Sequence, residues 1–403
     1  MSAATRLRGI VPERLNGFLF GVQRRLPLVV GEKLDERFFG YRAADRPSPV
    51  PVPASGRRVY VAPANFAGQG YAWARALERH VDDLTAVSMA PVRDEGFAFR
   101  VDNPVPYAVY AASRRWQRAQ RQQVLRYTHV VLEAGRPLFP RLGEGTAATE
   151  VRELREHGLR VVLMFHGSDI RSPERHAAAS RWSPFHEDDW EDVPRLGEIA
   201  AANKATAVEL GVPVLVSTPD LLLDIPWARW CPVVVEPQRW ASESPLLERP
   251  RPLVVHAPSR GVVKGTALVE PTLRELDAEG VIEYRPVSGV AHDAMPALYG
   301  SADVVVDQFR IGNYGVAACE AMAAGRLVVS HVDDQVRSAA REASGLDVPI
   351  VEATPDTLSD VLRRIAGDRG RFREVASRGP RFVDTLHEGR FSARVLAETL
   401  DIL

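Results

Sequence analysis

The sequence predicts an α/β protein with two domains, each built on a parallel β-sheet. Its 403 residues are more than one hydrophobic core usually organises. Short apolar strand patterns alternate with helical patterns along two successive stretches, which is typical of parallel sheets covered by helices on both faces. A Pro- and Trp-rich stretch without clear periodicity, residues 224–252, separates the two series and predicts the crossing between the domains.

The first 56 residues are predicted to form an irregular extension and linker. An apolar segment over residues 15–30 is interrupted by Arg24 and Arg25. The Pro-rich run from Pro47 to Pro53 predicts extended chain. Regular structure is therefore expected to begin just after it, with a buried strand over residues 58–63.

The first α/β series continues from that strand. A Gly-containing turn over residues 65–70 and a helix over residues 71–79 complete the first βα unit. Further strands are predicted over residues 84–89, 128–133, 160–165 and 212–217. Further helices are predicted over residues 109–127, 148–157 and 196–210.

The second series begins after the crossing. Strands are predicted over residues 252–257, 281–285, 302–306 and 326–331. Helices are predicted over residues 267–279, 294–300 and 315–324, and residues 354–403 are expected to be mostly helical.

Composition and charge narrow the class of protein. The chain is 45% hydrophobic and 26% charged, which is ordinary for a globular protein. Its formal net charge of -1 provides no general attraction to nucleic acid. Cys231 and Cys319 are too few for a disulfide framework or a thiolate metal site, which favours a reducing compartment. No signal peptide or membrane span is recognised, so a cytoplasmic location is expected.

Polar segments follow several strand ends of the second series, where open parallel sheets bind their ligands. Arg260 and Lys264 follow the first strand; a forked guanidinium and a point charge suit a diphosphate, although a solvated surface pair fits the sequence equally well. Arg285 begins the segment Arg-Pro-Val-Ser-Gly after the next strand, which includes Val287, Ser288 and Gly289. A glycine at such a place lets the backbone approach a flat ligand such as a base.

A longer loop follows the strand over residues 302–306. It begins at Asp307 and ends in Gly312, Asn313, Tyr314 and Gly315. The two glycines leave backbone N–H groups accessible at the start of the next helix, where unpaired donors attract an anion. A plain strand-to-helix turn is the alternative interpretation.

Glu320 lies within a helix of small and apolar residues, and the surroundings predict that it is buried. A buried carboxylate must be paired or hydrogen-bonded. Glu320 therefore accepts hydrogen bonds either from neighbouring protein donors or from ligand hydroxyls, for which a ribose diol is a natural partner.

The first series contributes two further candidate segments. Gly68, Gln69 and Gly70 form a Gly-x-Gly turn after the first strand. His166 and Asp169 follow a strongly apolar strand and are expected at its cleft end. Alternatively, Asp169 caps the turn by accepting a backbone N–H.

Three segments of the second series resemble the donor domain of GT-B glycosyltransferases, most closely family 4. These are Lys264-Gly265-Thr266, Leu298-Tyr-Gly-Ser-Ala-Asp303 and Tyr314-Gly-Val-Ala-Ala-Cys-Glu-Ala-Met-Ala-Ala-Gly325. The resemblance implies a GT-B fold, in which two Rossmann-like domains face a central cleft. It also implies an acceptor-binding domain over residues 57–235, a nucleotide-sugar domain over residues 236–385, and a final helix over residues 386–403 that packs back on the first domain.

The resemblance also assigns roles to the residues. It implies that Arg260 and Lys264 bind the donor diphosphate and that Glu320 binds the ribose hydroxyls. The loop over residues 312–315 would cradle phosphates or the donor sugar, and the turn over residues 68–70 would face the phosphates. His166 and Asp169 would touch the donor sugar or the acceptor and, with Lys264, are the candidate catalytic residues.

Two features depart from the family pattern. The Glu-x7-Glu motif of the family would place its first Glu at Gly312, so an acidic contact to the donor sugar is missing; Asp307 or the loop backbone would replace it. The spacing between Arg260 and Lys264 is also shorter than usual.

The family implies transfer with retention of anomeric configuration, without metal or cofactor. Arg260, Lys264 and backbone N–H groups would then stabilise the leaving diphosphate. The acidic run from Glu187 to Asp192 is interpreted as a solvated loop rather than a cation site. A nucleotide-sugar 2-epimerase and a non-catalytic nucleotide-sugar-binding subunit are the alternative functions.

The expected partners are a nucleotide-diphosphate sugar and a sugar, lipid-linked or small-molecule acceptor, with no nucleic acid. The helix over residues 113–126 carries five arginines without one acid: Arg114, Arg115, Arg118, Arg121 and Arg126. Such a face either rests on anionic lipid at the inner membrane surface or is a solvated helix.

Overall fold

Two parallel β-sheets organise the protein. The computed structural model describes residues 28–54, 56–93, 99–186, 193–258 and 260–403. The acidic run over residues 187–192 and most of the apolar segment over residues 15–30 lie outside these ranges. None of the described helices is long and apolar enough to cross a membrane.

The N-terminal sheet has seven strands in the order β3-β2-β1-β4-β5-β6-β7, and each neighbouring pair is parallel. The strands are β1 Arg57–Ala62, β2 Leu84–Val92, β3 Asn103–Pro106, β4 His129–Glu133, β5 Arg160–Phe165, β6 Val214–Val216 and β7 Arg229–Trp230. Its helices are α1 Leu28–Phe39, α2 Gln69–His80, α3 Tyr107–Ala112, α4 Arg114–Val124, α5 Ala147–Glu156, α6 Pro173–Ala179 and α7 Val193–Leu210.

The C-terminal sheet has five parallel strands in the order β12-β11-β10-β8-β9. They are β8 Leu253–His256, β9 Glu283–Pro286, β10 Val304–Val306, β11 Leu327–Ser330 and β12 Ile350–Glu352. The accompanying helices are α8 Pro237–Trp240, α9 Gly261–Lys264, α10 Thr266–Ala278, α11 Met295–Ser301, α12 Val316–Ala323, α13 Asp334–Ser344, α14 Leu358–Gly367, α15 Arg369–Ser377, α16 Gly379–Leu386 and α17 Arg390–Thr399.

Each sheet is buried on both faces, which explains the continuous apolar runs of its strands. Successive residues of β1 point to opposite sides, so Tyr60 joins one hydrophobic cluster and Val59 and Val61 join another. In the C-terminal sheet, Val305 faces one cluster and its neighbours Val304 and Val306 face the other. The period of two places the residues of the central strands alternately in the cores on the two faces.

Several elements differ from the sequence expectations. The helix expected over residues 109–127 is two helices, because Ser113 is extended and caps α4 by accepting from the Trp116 N–H. The strands β3, β7 and β12 and the helix α6 are too short for periodicity to reveal.

The prediction of irregular chain over residues 1–56 is wrong for residues 28–39, which form a helix, whereas residues 46–53 have no regular structure. Helix α1 lies in that segment, and Tyr41 and Val50 are 3% and 1% exposed within the N-terminal core. The Val50 N–H donates to Gln120 Oε1 at 2.7 Å. Five charged residues lie within this 12-residue helix, which weakens its apolar pattern in the sequence.

The chain crosses between the two sheets twice, and the two crossings lie side by side. The Val235 N–H donates to the His387 carbonyl at 2.8 Å, and His387 Nδ1 lies 2.8 Å from the Val233 carbonyl. Burial lowers the pKa of His387 to about 4, so the ring is neutral. The Tyr314 hydroxyl then donates to its Nε2 at 3.2 Å.

After the second crossing, α17 packs on α2 of the N-terminal sheet. Leu396 is fully buried in the cluster that contains Trp73 and Leu77. In the same helix, the Ser392 hydroxyl donates to the Pro232 carbonyl at 2.8 Å.

A buried carboxylate joins the two halves elsewhere. Asp220, 4% exposed, accepts from Arg171 Nη2 at 2.6 Å and from Asn313 Nδ2 at 2.6 Å. Burial opposes its ionisation, but Arg171 and the hydrogen bonds outweigh burial and hold the pKa of Asp220 below its ordinary value. Nearby, His176 Nε2 lies 3.2 Å from the Ile311 carbonyl.

We expect Leu396→Ala to lower the free energy of unfolding by about 2–5 kcal/mol, because it leaves a cavity under a helix that ties the chain end to the first sheet. Arg373→Ala, at an exposed position of α15, should change it by less than about 0.5 kcal/mol. Urea titration measures both values. Equal stability of the two variants would contradict the packing of α17.

We expect Asp220→Ala to cost about 3–5 kcal/mol of unfolding free energy, because Arg171 loses its buried partner. The matched control is Asp356→Ala, which removes an ion pair with Arg181 that also joins the two halves but is 54% exposed on the Asp356 side. That loss should stay below about 1 kcal/mol. Thermal and urea unfolding of both variants make the comparison, and a small effect of Asp220→Ala would exclude it as an anchor.

Candidate functional site

A pocket lies in the cleft between the two sheets. It is lined from the first half by residues of the turn before α2 and from the second half by Arg239, His292 and Glu320. Its void, counted with the solvent at its mouth, is about 750 Å³.

The turn before α2 is held rigidly. Gly68 has φ +75°, which favours glycine, and a Cβ on Gly70 would lie 3.0 Å from the Ala64 carbonyl. Gln69 is not available to a ligand through its side chain, since its amide donates to the Val234 carbonyl at 3.0 Å and accepts from the Val234 N–H at 2.6 Å. The turn therefore offers backbone, and Gln69 fastens it to the interdomain crossing.

His166 lies beneath this turn with a buried acid. Its Nε2 is 3.3 Å from Oε1 of Glu133, which is fully buried and accepts from the Ala64 N–H at 3.0 Å. Burial raises the pKa of Glu133, and His166 partly offsets that effect. The ring of His166 stacks on Trp73 and meets Phe66 edge to face. The imidazole is thus oriented by its neighbours on several sides.

Asp169 takes the capping role that the sequence left as an alternative. Its carboxylate accepts from the His166 N–H at 3.0 Å and from the Gly167 N–H at 2.6 Å. These bonds shape the turn after β5 and thereby the position of His166.

Lys264 and Asp307 form a buried ion pair below the cleft. The side chain of Lys264 is 13% exposed and that of Asp307 is 3% exposed. The second oxygen of Asp307, Oδ2, is buried without a hydrogen-bond partner among the described residues. Arg260 is exposed at the start of α9, and Gly265 has φ +80° where α9 gives way to α10.

The loop between β10 and α12 presents backbone rather than side chains. Gly312 has φ +73°. Asn313 is bonded to Asp220, and Tyr314 points into the core, 3% exposed, against His387 and Phe382. Gly315, half-buried, precedes the first turn of α12.

Glu320 is 6% exposed, as the small residues of its helix predict, and it has one protein partner. His292 Nε2 lies 3.0 Å from Glu320 Oε1, and Arg239 Nη2 lies 3.3 Å from His292 Nδ1. Because Arg239 can only donate, Nδ1 is the acceptor and Nε2–H donates to Glu320. Burial raises the pKa of Glu320, while His292, Arg239 and Lys264 act to lower it.

The segment after β9 is the least enclosed part of the candidate site. Arg285, Ser288 and Gly289 are exposed, and Arg285 Nη2 lies 3.4 Å from Glu283 Oε1. Val287 is half-buried, and its N–H donates to the His256 carbonyl at 3.0 Å. None of the four lines the pocket described above.

Only some of the arginines on α4 are exposed to solvent. Arg114 is 4% exposed and lies against α1, and Arg121 is paired with Glu153. Arg115, Arg118 and Arg126 are exposed. The described residues also contain no group of three or more His, Cys, Asp or Glu side chains placed to hold a metal ion.

Sequence reasoning missed Glu133, Arg239 and His292. Glu133 carried a usable signal, because it ends a fully apolar strand whose carboxyl end must face the cleft. His292 lies in a short 3₁₀ turn, His292–Ala294, and Arg239 in the four-residue helix α8. Neither element has a periodicity that would have revealed it.

Known proteins support the fold. No family model and no curated protein matches the chain at a significant level. Among solved structures, HepE of Anabaena in complex with UDP and glucose is similar over 86% of this chain and 100% of its own, with a TM-score of 0.55 and 12% identity.

Two further structures agree. Sucrose-phosphate synthase from Thermosynechococcus elongatus matches over 85% of this chain and 98% of its own, with a TM-score of 0.52 and 13% identity. The catalytic domain of starch synthase IV from Arabidopsis thaliana, bound to ADP and acarbose, matches over 86% and 99%, with a TM-score of 0.54 and 10% identity. The chain therefore adopts the GT-B fold, with two Rossmann-like domains that face a central cleft.

Proposed function

We propose that this protein is a glycosyltransferase that moves a sugar from a nucleotide-diphosphate sugar to an acceptor hydroxyl. The observation that carries the proposal is a cleft of a GT-B fold that is lined by Glu320 and by the first turn of α12, with Lys264 close enough for its charge to act on the pKa of Glu320. Lys264 and the start of α12 match the diphosphate of a nucleoside diphosphate, and Glu320 matches its ribose.

Lys264 and Arg260 are assigned to the diphosphate. An ammonium has three donors, so Lys264 keeps two for phosphate oxygens while Asp307 holds the third. Backbone N–H groups at the start of α12 and in the turn over residues 68–70 supply further donors. Arg260 is exposed and can close on the ligand from solvent.

Glu320 is assigned to the ribose hydroxyls. One of its oxygens already accepts from His292, and a ribose diol satisfies the other. His292 keeps the carboxylate oriented. The segment from Arg285 to Gly289, with Val287 and Ser288, remains our proposal for the base.

The proposed reaction is hexosyl transfer with retention and without metal. The bond between the anomeric carbon and the diphosphate oxygen breaks, and the acceptor oxygen bonds to that carbon. Lys264, Arg260 and the N–H groups stabilise the charge that develops on the leaving diphosphate. The departing phosphate takes the acceptor proton. His166 touches the donor sugar or acceptor, with Glu133 and Asp169 as positioning residues.

The full chain incubated with UDP-glucose, ADP-glucose or GDP-mannose and a panel of sugar, lipid-linked and small alcohol acceptors tests this function. Acceptor-dependent release of nucleoside diphosphate supports it. An epimerised donor sugar would instead indicate a 2-epimerase, and binding without turnover on any acceptor would indicate a binding subunit. NMR of the anomeric proton in the product checks retention.

The proposed setting is cytoplasmic, with family 4 as the proposed relationship. Contact with the inner membrane surface through α4 would involve Arg115, Arg118 and Arg126. Sedimentation with anionic vesicles tests that contact, and the absence of salt-sensitive binding would remove it.

We expect Lys264→Met to weaken binding of the cognate nucleoside diphosphate about 10- to 100-fold, because a charge-assisted contact to phosphate is lost. Lys204→Met, at an exposed position of α7, is the control and should leave affinity unchanged. Isothermal titration calorimetry measures both. Equal affinities would remove Lys264 from the site.

We expect Glu320→Gln to weaken binding of the nucleoside diphosphate about tenfold but to leave inorganic pyrophosphate binding unchanged, since pyrophosphate has no ribose. Glu342→Gln, on the exposed side of α13, is the control. A parallel loss for both ligands would show that Glu320 acts on the diphosphate or on folding rather than on the ribose.

A further inference from the structure

The carboxylate of Asp333 occupies the space beside Gly312. An ideal Cβ on Gly312 would lie 2.1 Å from Oδ2 and 2.6 Å from Cγ of Asp333. Atoms of two side chains do not approach that closely. A side chain at position 312 could therefore not coexist with the Asp333 carboxylate in its present place. The positive φ of Gly312 also disfavours any residue with a side chain at this position.

Asp333 is not engaged in the role that its position suggests. It is the N-cap residue of α13, yet its side chain makes no capping hydrogen bond. Its backbone N–H donates instead to the Gly312 carbonyl at 2.9 Å, which joins the two loops. The carboxylate is therefore turned toward the loop that precedes α12.

The carboxylate is held but remains accessible. Its Oδ1 lies 3.4 Å from His331 Nε2, and its side chain is 42% exposed. His331 in turn bonds Glu352 through Nδ1 at 2.7 Å. Asp307, the other acid near this loop, is 4% exposed and paired with Lys264, so it lacks such access.

Asp333 also faces the first domain. Helix α13, which follows Asp333, packs against the turn Pro219–Leu223 of the first domain. Burial raises the pKa of the Asp333 carboxyl; His331 acts to lower it, and Asp220 in that turn acts to raise it. Asp333 is likewise among the charges that raise the pKa of Arg175 on α6, after the hydrogen bond and charge of Asp224 and the charge of Asp220. The carboxylate therefore lies beside the junction of the two halves.

The order of groups along α12 follows the order of groups in the proposed ligand. Glu320 lies five residues after Gly315, which is about 7.5 Å along a helix. With the ribose at Glu320 and the diphosphate at the start of α12, the transferred sugar lies beyond Gly315, on the side of Gly312. A carboxylate at that point accepts hydrogen bonds from sugar hydroxyls.

We propose that Asp333 is the residue that recognises hydroxyls of the transferred hexose, in the space that a side chain at position 312 would otherwise occupy. This inference rests on the proposed function and deepens it, because it assigns the donor-sugar contact.

The test compares each nucleotide sugar with its own nucleoside diphosphate: UDP-glucose with UDP, ADP-glucose with ADP, and GDP-mannose with GDP. Asp333→Asn has the same shape and removes the charge. We expect it to lose about tenfold in affinity for the cognate nucleotide sugar and to bind the nucleoside diphosphate within twofold of the wild type. Asp334→Asn, the exposed neighbour, is the control and should change neither affinity.

A second variant approaches the same carboxylate from the other loop. In Gly312→Ala the new methyl group displaces Asp333, so a lower affinity for the nucleotide sugar is expected. Because Gly312 also belongs to the loop assigned to the phosphates, only Asp333→Asn is required to leave binding of the nucleoside diphosphate unchanged. Melting temperatures confirm that each variant is folded. The proposal is overturned if Asp333→Asn binds the nucleotide sugar as tightly as the wild type, or if it loses both ligands equally. A wild-type chain that binds none of the nucleoside diphosphates overturns the proposed function and this inference together.

Discussion

The desolvation of one carboxylate sets the relation between the two domains. Asp220 is too deeply buried to be left with an open lone pair, so it requires both Arg171 and Asn313. Arg171 follows the turn that Asp169 shapes, and Asn313 lies in the loop that begins α12. The His166 turn and the loop that precedes α12 are therefore both positioned by the same carboxylate.

Two buried acids of the second half are each paired with a basic side chain. Asp307 and Glu320 are both buried acids, and each has one protein partner, Lys264 and His292 respectively. A buried acid with a single partner is costly, whereas a ligand that supplies further donors and further negative charge uses the spare capacity of acid and cation alike. The proposed donor, with its ribose hydroxyls and phosphate oxygens, supplies groups of both kinds.

The sequence predicted the helices whose apolar pattern extends over many residues and the strands that consist mainly of apolar residues. The helix expected over residues 315–324 is observed as Val316–Ala323, and the burial of Glu320 follows from its small neighbours. Local pattern had no means to place Asp333 beside Gly312, because that proximity arises from two loops joined only by the sheet order β10-β11. The same reason applies in part to α1, which packs against α4 through Arg114 and Ser113, about 80 residues further along the chain.

The paired crossings near Val235 and His387 have a mechanical consequence. Two backbones that run together and hydrogen-bond to each other resist twisting and shearing but still bend. At this point the two halves are therefore joined by a strip that bends more easily than it twists, while the contacts of Asp220 oppose bending from the other side. Since Tyr314 contacts His387 at the crossings, bending there would also move the loop that precedes α12.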